Sequence, residues 1–216
     1  MAKLKVAVLI SGRGSNLQAL LDASAAADFP AEIVRVIANV PGAQGLAWAQ
    51  RAGVAGEIID NRSFSGRDAF DAALDAAIRA AGAEFVCLAG FMRLLTPGFT
   101  RAWENRLVNI HPSLLPSFKG LDTHRQALEA GVRLHGCTVH FVTADLDDGP
   151  IIVQAAVPVL DGDDEASLAA RVLAAEHRVY PLALRLIGEG RVRVDGKRVR
   201  ISGAADAVPP LIHPAG

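Results

Sequence analysis

Asn109 and His111 stand two residues apart in the run Leu107-Val108-Asn109-Ile110-His111-Pro112. On a strand, that spacing turns both side chains to one face and Ile110 to the other. A side-chain amide beside an imidazole can stabilise a developing oxyanion and move a proton. A lone histidine is more often a core residue satisfied by a backbone carbonyl. The acidic cluster Asp145-Leu146-Asp147-Asp148-Gly149-Pro150 shifts the balance toward chemistry. A carboxylate brought beside His111 would hold the imidazole as the cation that pairs with an oxyanion. Spacing does not say which acid does so, and the cluster also reads as a solvated loop.

A second group of residues is Ser11-Gly12-Arg13-Gly14-Ser15-Asn16, between an apolar run and a helical pattern. Backbone amides and the helix dipole at such a place favour an anion such as phosphate. It is not a complete dinucleotide fingerprint, because Leu17 takes the place of the third glycine and Asn39 stands where a ribose-binding acid is expected. It also lacks the Gly-Lys-Ser/Thr of a P-loop. The alternative is a tight turn with Asn16 as helix cap. Glu176 is the third oddity: it lies in line with Leu168 and Val172, so it sits at the edge of an apolar stripe or faces a polar ligand.

These residues need elements to hold them. Apolar runs at Val6–Ile10, Ile33–Ala38, Glu57–Ile59, Phe85–Ala89 and Leu107–Ile110 alternate with helical stripes, among them Leu17, Leu20, Leu21 and Phe70, Leu74, Ile78. Continuous apolar strands between helices predict a parallel sheet covered on both faces. Ser65 with Asp68 predicts a capping box, and Gly82 the C-terminal turn of that helix. Beyond Pro112, Gly136–Val142 and Ile151–Val157 read as strands. Asp163 to Gly188 reads as a long helix with acids in its first turn and a kink at Pro181. Arg191–Val194 and Arg198–Ile201 flank Asp195-Gly196-Lys197 as a β-hairpin. The expected fold is α/β, a single domain over residues 1–203. Its N-terminal half is a doubly wound, Rossmann-like, mostly parallel sheet, and its C-terminal half carries mixed or antiparallel strands. A loose tail covers 204–216.

Composition narrows the function classes. Of 216 residues, 51% are hydrophobic and 21% charged, with 22 Lys+Arg against 23 Asp+Glu. That balance belongs to an ordinary globule and excludes disorder as the main state. A net charge of −1 supplies no field for a polyanion, and the basic run Arg191 to Arg200 is interleaved with valines, so no nucleic-acid partner is expected. No apolar stretch approaches the roughly 20 residues of a membrane span, and no membrane partner is expected. Met1 to Ile10 superficially resembles a signal peptide, but its apolar run is short and Gly12-Arg13-Gly14 follows it. Cys87 and Cys137 both lie in apolar segments and offer neither a disulfide framework nor a metal site, so a cytoplasmic setting is expected. HExxH and Gly-x-Ser-x-Gly patterns are lacking, which sets aside metal catalysis and a serine hydrolase.

The blocks Ile10-Ser11-Gly12-Arg13-Gly14-Ser15-Asn16-Leu17-Gln18-Ala19, Leu88-Ala89-Gly90-Phe91-Met92-Arg93, Asn109-Ile110-His111-Pro112-Ser113-Leu114-Leu115-Pro116 and Thr138-Val139-His140-Phe141-Val142 resemble the phosphoribosylglycinamide formyltransferase family. With Asp147-Asp148-Gly149-Pro150 and Glu176-His177-Arg178-Val179-Tyr180-Pro181 they extend the resemblance to about Gly190. The resemblance implies formyl transfer from 10-formyltetrahydrofolate, as co-substrate and without a metal, to the amine of glycinamide ribonucleotide in purine synthesis. It implies Asn109, His111 and Asp147 as the catalytic residues. Gly14, Ser15 and Asn16 would hold the substrate phosphate, with Arg67 and Glu176 reaching other parts of the ribonucleotide. The folate would lie along Phe91, Met92, Arg93, Leu94 and Leu95 and the loop of Thr143, Ala144, Asp145, Leu146 and Asp147, with Asn109 beside it. On the residues alone, Phe91, Met92, Leu94 and Leu95 are as readily core. His140 belongs to the surrounding shell.

Departures from the family pattern are Asp148, where some relatives carry glycine, and the variable segment Ser117 to His124. The expected assembly is a monomer or homodimer. Formyl transfer to an initiator tRNA would call for a further C-terminal RNA-binding domain, and formyl-folate hydrolysis for a further N-terminal one. A non-catalytic nucleotide-binding module would use the Gly12–Asn16 loop alone.

Overall fold

The computed structural model describes residues 2–204 and 211–214; most of the tail expected from 204 onward lies outside the described residues. In chain order the elements are β1 (Leu4–Ile10), α1 (Ser15–Ser24), β2 (Ala31–Ala38), α2 (Gly45–Arg51), β3 (Gly56–Ile58), α3 (Arg67–Ala80), β4 (Phe85–Leu88) and α4 (Pro97–Ala102). They continue as β5 (Leu107–His111), α5 (Thr123–Glu129), β6 (Leu134–Phe141), β7 (Ile151–Pro158), α6 (Glu165–Gly188), β8 (Val192–Asp195) and β9 (Arg198–Ile201). Seven strands form one sheet in the order β3-β2-β1-β4-β5-β6-β7, and β8 and β9 form a separate hairpin. The first five strands of that order are parallel, and β6 runs antiparallel to both β5 and β7. The α/β fold, Rossmann-like at first and mixed toward the C-terminus, is the one expected from the apolar runs.

Both faces of the sheet are covered, as continuous apolar strands require. On one face Val6, Val8 and Ile10 of β1 pack with Leu17 and Leu20 of α1 and with Leu168, Val172, Tyr180 and Leu184 of α6. On the other, Ala7, Leu9, Ile37 and Val86 pack with Phe70, Leu74 and Ile78 of α3 and with Phe99 and Trp103. Leu107 belongs to this second face, and two-residue alternation places Asn109 and His111 on it as well. The apolar row thus turns polar at the carboxyl end of β5. Strand order reverses between β1 and β4, the kind of switch point beside which open α/β sheets bind ligands.

Helix α6 spans 24 residues and starts with a full capping box between Asp164 and Ser167. It runs as helix to Gly188, with Pro181, the residue expected to kink it, inside. The proline removes one amide donor, but buried side chains on both sides, Val179, Tyr180, Ala183 and Leu184, keep the helix against the sheet. The wholly buried Tyr180 hydroxyl donates to the Leu88 carbonyl at 2.9 Å, tying α6 to the end of β4. The expected capping box of α3 does not form. Its N-cap is Gly66, in extended backbone without a side-chain cap, which leaves Ser65 outside the helix and Asp68 in its first turn.

His135 of β6 is wholly buried, and neither of its ring nitrogens has a hydrogen-bond partner among the described residues. Burial first, and then neighbouring His124, push it down to about 4 from the ordinary 6.5. A base depressed in the folded state binds fewer protons there than in the unfolded chain, so stability is full above pH 6.5 and is lost as pH falls toward 4. The melting temperature is therefore expected to drop as pH is lowered through that window, and His135→Phe should flatten the drop. An unchanged pH slope in that variant would contradict this assignment.

Candidate active site

His111 ends β5 and is almost wholly buried. Its Nδ1 lies 3.4 Å from Asp147 Oδ2, and its Nε2 lies 2.9 Å from the Phe118 carbonyl oxygen. A carbonyl only accepts, so Nε2 carries a proton, and a carboxylate opposite Nδ1 favours a proton there too. The contacts thus suit an imidazolium. Asp147 comes from the turn between β6 and β7, in the left-handed region at φ 49, and its Oδ2 also accepts from the Gly120 N–H at 3.0 Å.

His140 lies opposite Asn109 in the strand register, and its Nε2 is 3.8 Å from Asp147 Oδ1. Its Nδ1 lies 2.8 Å from the Phe141 carbonyl, the contact of a neutral ring protonated at that nitrogen. Burial pushes His140 down despite the backbone hydrogen bond and Asp147. The half-buried Asn109 shares the face of His111, and among the described residues its amide has no hydrogen-bond partner. An amide, an imidazole and an orienting carboxylate therefore lie on one patch.

The glycine-rich loop builds the second part. Gly14 is the N-cap of α1 at φ 73, and no side chain caps the helix or places an acid in its first turn. A Cβ on Gly14 would stand 2.6 Å from the backbone of Gly45, so glycine is required both for the left-handed turn and for the approach of α2. Asn16 is not a cap: its Nδ2 donates to Glu176 Oε2 at 2.7 Å, across from α1 to α6. Glu176 is buried at 6% exposure, and burial raises its carboxyl while the Asn16 hydrogen bond opposes the rise. Beside Ser15 a cavity of about 350 Å³ is lined by Arg13, Gln18, Gln44, Trp48 and Arg51.

Other candidates separate. Phe91 is buried in the second core cluster and Leu95 packs against that cluster, whereas Met92 and Leu94 are 73% and 60% exposed and Leu146 is 52% exposed. Arg93 stacks on the Phe70 ring at 4.8 Å. Thr143, Ala144 and Asp145 are exposed in the turn that carries Asp147. Arg67 is exposed at the start of α3, which packs on the sheet face that also carries Asn109 and His111. The Asn39 side chain is taken up by Ser11, whose Oγ donates to Asn39 Oδ1 at 2.6 Å and accepts from Met92 N–H at 2.7 Å. The sequence reading missed the Phe118 carbonyl and the Gly120 N–H on the two reactive side chains. Both are backbone groups, which leave no mark in residue type.

Comparison with known proteins places the site in context. Residues 4–184 match the formyl transferase family. The chain is 44% identical over 209 residues to the phosphoribosylglycinamide formyltransferase of Escherichia coli, covering 94% of this chain and 99% of that protein. It is 50% identical over 192 residues to the trifunctional purine biosynthetic protein adenosine-3 of Gallus gallus, covering 89% of this chain but only 19% of that relative's length. The crystal structure of glycinamide ribonucleotide transformylase 1 from Symbiobacterium toebii superposes with a TM-score of 0.90 at 53% identity, covering 92% of this chain and 94% of that one.

Proposed function

Because the chain belongs to the formyl transferase family, we propose that it transfers the formyl group of 10-formyltetrahydrofolate to the amine of 5'-phosphoribosylglycinamide, giving the N-formyl ribonucleotide of purine biosynthesis. The observation that carries this reading is the placement of Asp147, from the β6–β7 turn, beside His111 at the carboxyl end of β5, with Asn109 on the same face of that strand. Bound 10-formyltetrahydrofolate supplies an electrophilic formyl carbon on a nitrogen that can leave. The residues fit such a co-substrate: exposed Met92, Leu94 and Leu146 offer apolar surface to a flat ring, and the exposed Thr143–Asp145 backbone offers polar groups to its edge.

Asn109 and protonated His111 stabilise the oxygen that gains negative charge as the amine attacks, Asn109 by donating a hydrogen bond and His111 by its charge. Asp147 holds the ring oriented and balances the charge it carries as it moves the proton. The amine nitrogen gains a bond to the formyl carbon and loses a proton. That proton reaches the departing nitrogen by way of His111 or a water held by Asp147. The uncapped N–H groups of Ser15 and Asn16 after Gly14 receive the phosphate, with Arg13 and Arg51 nearby to balance its charge. Glu176 accepts from the glycinamide end, which explains an acid on the apolar stripe of α6. Arg67 would have to cross the carboxyl edge of the sheet to join it. The reaction is placed in the cytoplasm, with the protein a monomer or homodimer.

Thermal unfolding tests the two-ligand reading. The ribonucleotide and a 10-formyl folate analogue are each expected to raise the melting temperature, and stabilisation by the ribonucleotide alone would favour a non-catalytic nucleotide-binding module. Glu176→Gln should raise KM for the ribonucleotide about tenfold, equivalent to a charged hydrogen bond of about 1.5 kcal/mol, and leave KM for the folate unchanged. An unaltered ribonucleotide KM would remove Glu176 from the site.

A further inference from the structure

Asp148 has no part in the proposed chemistry, yet it joins three segments around it. Its carboxylate lies 2.5 Å from Lys119 Nζ and 3.6 Å from Lys197 Nζ. Lys197 sits at the tip of the β8–β9 hairpin, where Gly196 at φ 61 makes the tight turn. Lys119 lies between the two residues whose backbone reaches the reactive side chains, Phe118 on His111 and Gly120 on Asp147. Phe118 and Asp122 of that segment, and Asp147 itself, are non-glycine residues in the left-handed region at φ 55, 55 and 49. Such conformations persist only where the surroundings hold them.

Packing does not close this junction. A cavity of about 490 Å³ lies against it, lined by Leu115, Pro116, Asp147, Asp148, Lys197 and Arg198 among others. Phe118, Val194 and Val199 of these segments pack against the core, and the ionic contacts add restraint at the edge of the cavity. The two lysines, Lys119 first, hold the Asp148 carboxyl below the usual carboxylate range, so it stays charged. Without that charge, two ammonium groups would face each other across the turn.

We propose that Asp148 is a positioning residue for the transfer reaction: as shared counter-ion of Lys119 and Lys197, it fixes the 117–122 segment and the C-terminal hairpin against the Asp147 turn, and so sets the orientation of His111 and Asp147. This rests on the formyl-transfer reading of the same site. One exposed ion pair would be weak. A carboxylate shared by two lysines from separate segments forms a small network, and its loss reaches the site through the Phe118 and Gly120 contacts.

Asp148→Asn is expected to lower kcat by about tenfold, short of the roughly 10²-fold that a misplacement of about 1 Å can cost. KM for each substrate should stay within about twofold, and Asp148→Glu should restore the rate. Lys119→Met should cost a similar factor, and the double variant with Asp148→Asn no more than either alone, because both break one contact. Nitrogen NMR of the His111 ring provides a readout independent of turnover, and its Nε2 resonance should shift in Asp148→Asn. An unchanged kcat with an unchanged ring resonance would overturn the proposal, as would additive losses in the double variant. Should the wild type transfer no formyl group, the reaction reading fails while the ring resonance still decides the positioning role.

Discussion

Asp147→Asn is expected to cut formyl transfer by about 10²- to 10⁴-fold, the range associated with general acid–base catalysis, while KM for either substrate moves little. The substitution keeps the size of the side chain and removes its charge. His111 loses the carboxylate that lies 3.4 Å from Nδ1 and retains only the Phe118 carbonyl on Nε2. The ring then has no carboxylate to orient it or to balance the charge it takes on during proton transfer. Gly120 N–H can still donate to the amide oxygen, so the turn itself should persist. Steady-state kinetics at saturating levels of both substrates check this. Near-full activity would remove Asp147 from the mechanism. Asp148→Asn, one residue on, is the comparison: it removes a charge from the same turn but should cost only about tenfold, as expected of positioning and not of proton transfer.

His111→Ala should lower kcat by about 10³-fold or more, since it takes away the charge that stabilises the oxyanion and the proton-transfer group together. Its effect should not multiply with that of Asp147→Asn. Asp147 acts through His111, so the double variant should be about as slow as His111→Ala alone. Multiplying losses would mean that Asp147 acts independently, for instance on a water. The alanine leaves a gap beside Phe118, and a melting curve run alongside separates loss of chemistry from loss of fold.

Much of this arrangement was legible in residue type and spacing. The apolar runs of β1, β2, β4 and β5 are what a sheet buried on both faces demands, and the polar break at Asn109 and His111 stood out against them. Glu176 was visible as a charge on an apolar stripe, and the structure gives it Asn16 as partner. Helices α2, α4 and α5, at 7, 6 and 7 residues, were not read because about two turns are too few to show a period. The Ser65–Asp68 pattern misled, since a capping box also needs the chain to enter the helix at the serine, and here it enters at Gly66. The 117–122 segment contributes through a carbonyl, an amide and left-handed backbone, none of which residue type declares. Spacing alone did not choose among the three acids of the 145–148 cluster; the resemblance pointed to Asp147, and the turn between β6 and β7 brings its carboxylate to 3.4 Å from His111.

The most direct measurement of the central claim is turnover of a 10-formyl folate by the wild-type protein with and without glycinamide ribonucleotide, following the absorbance of the deformylated product and identifying the ribonucleotide product by mass. Folate deformylation should require the ribonucleotide and yield one formylated ribonucleotide for each formyl group lost. Loss of formyl at the same rate without ribonucleotide would identify a hydrolase and contradict it.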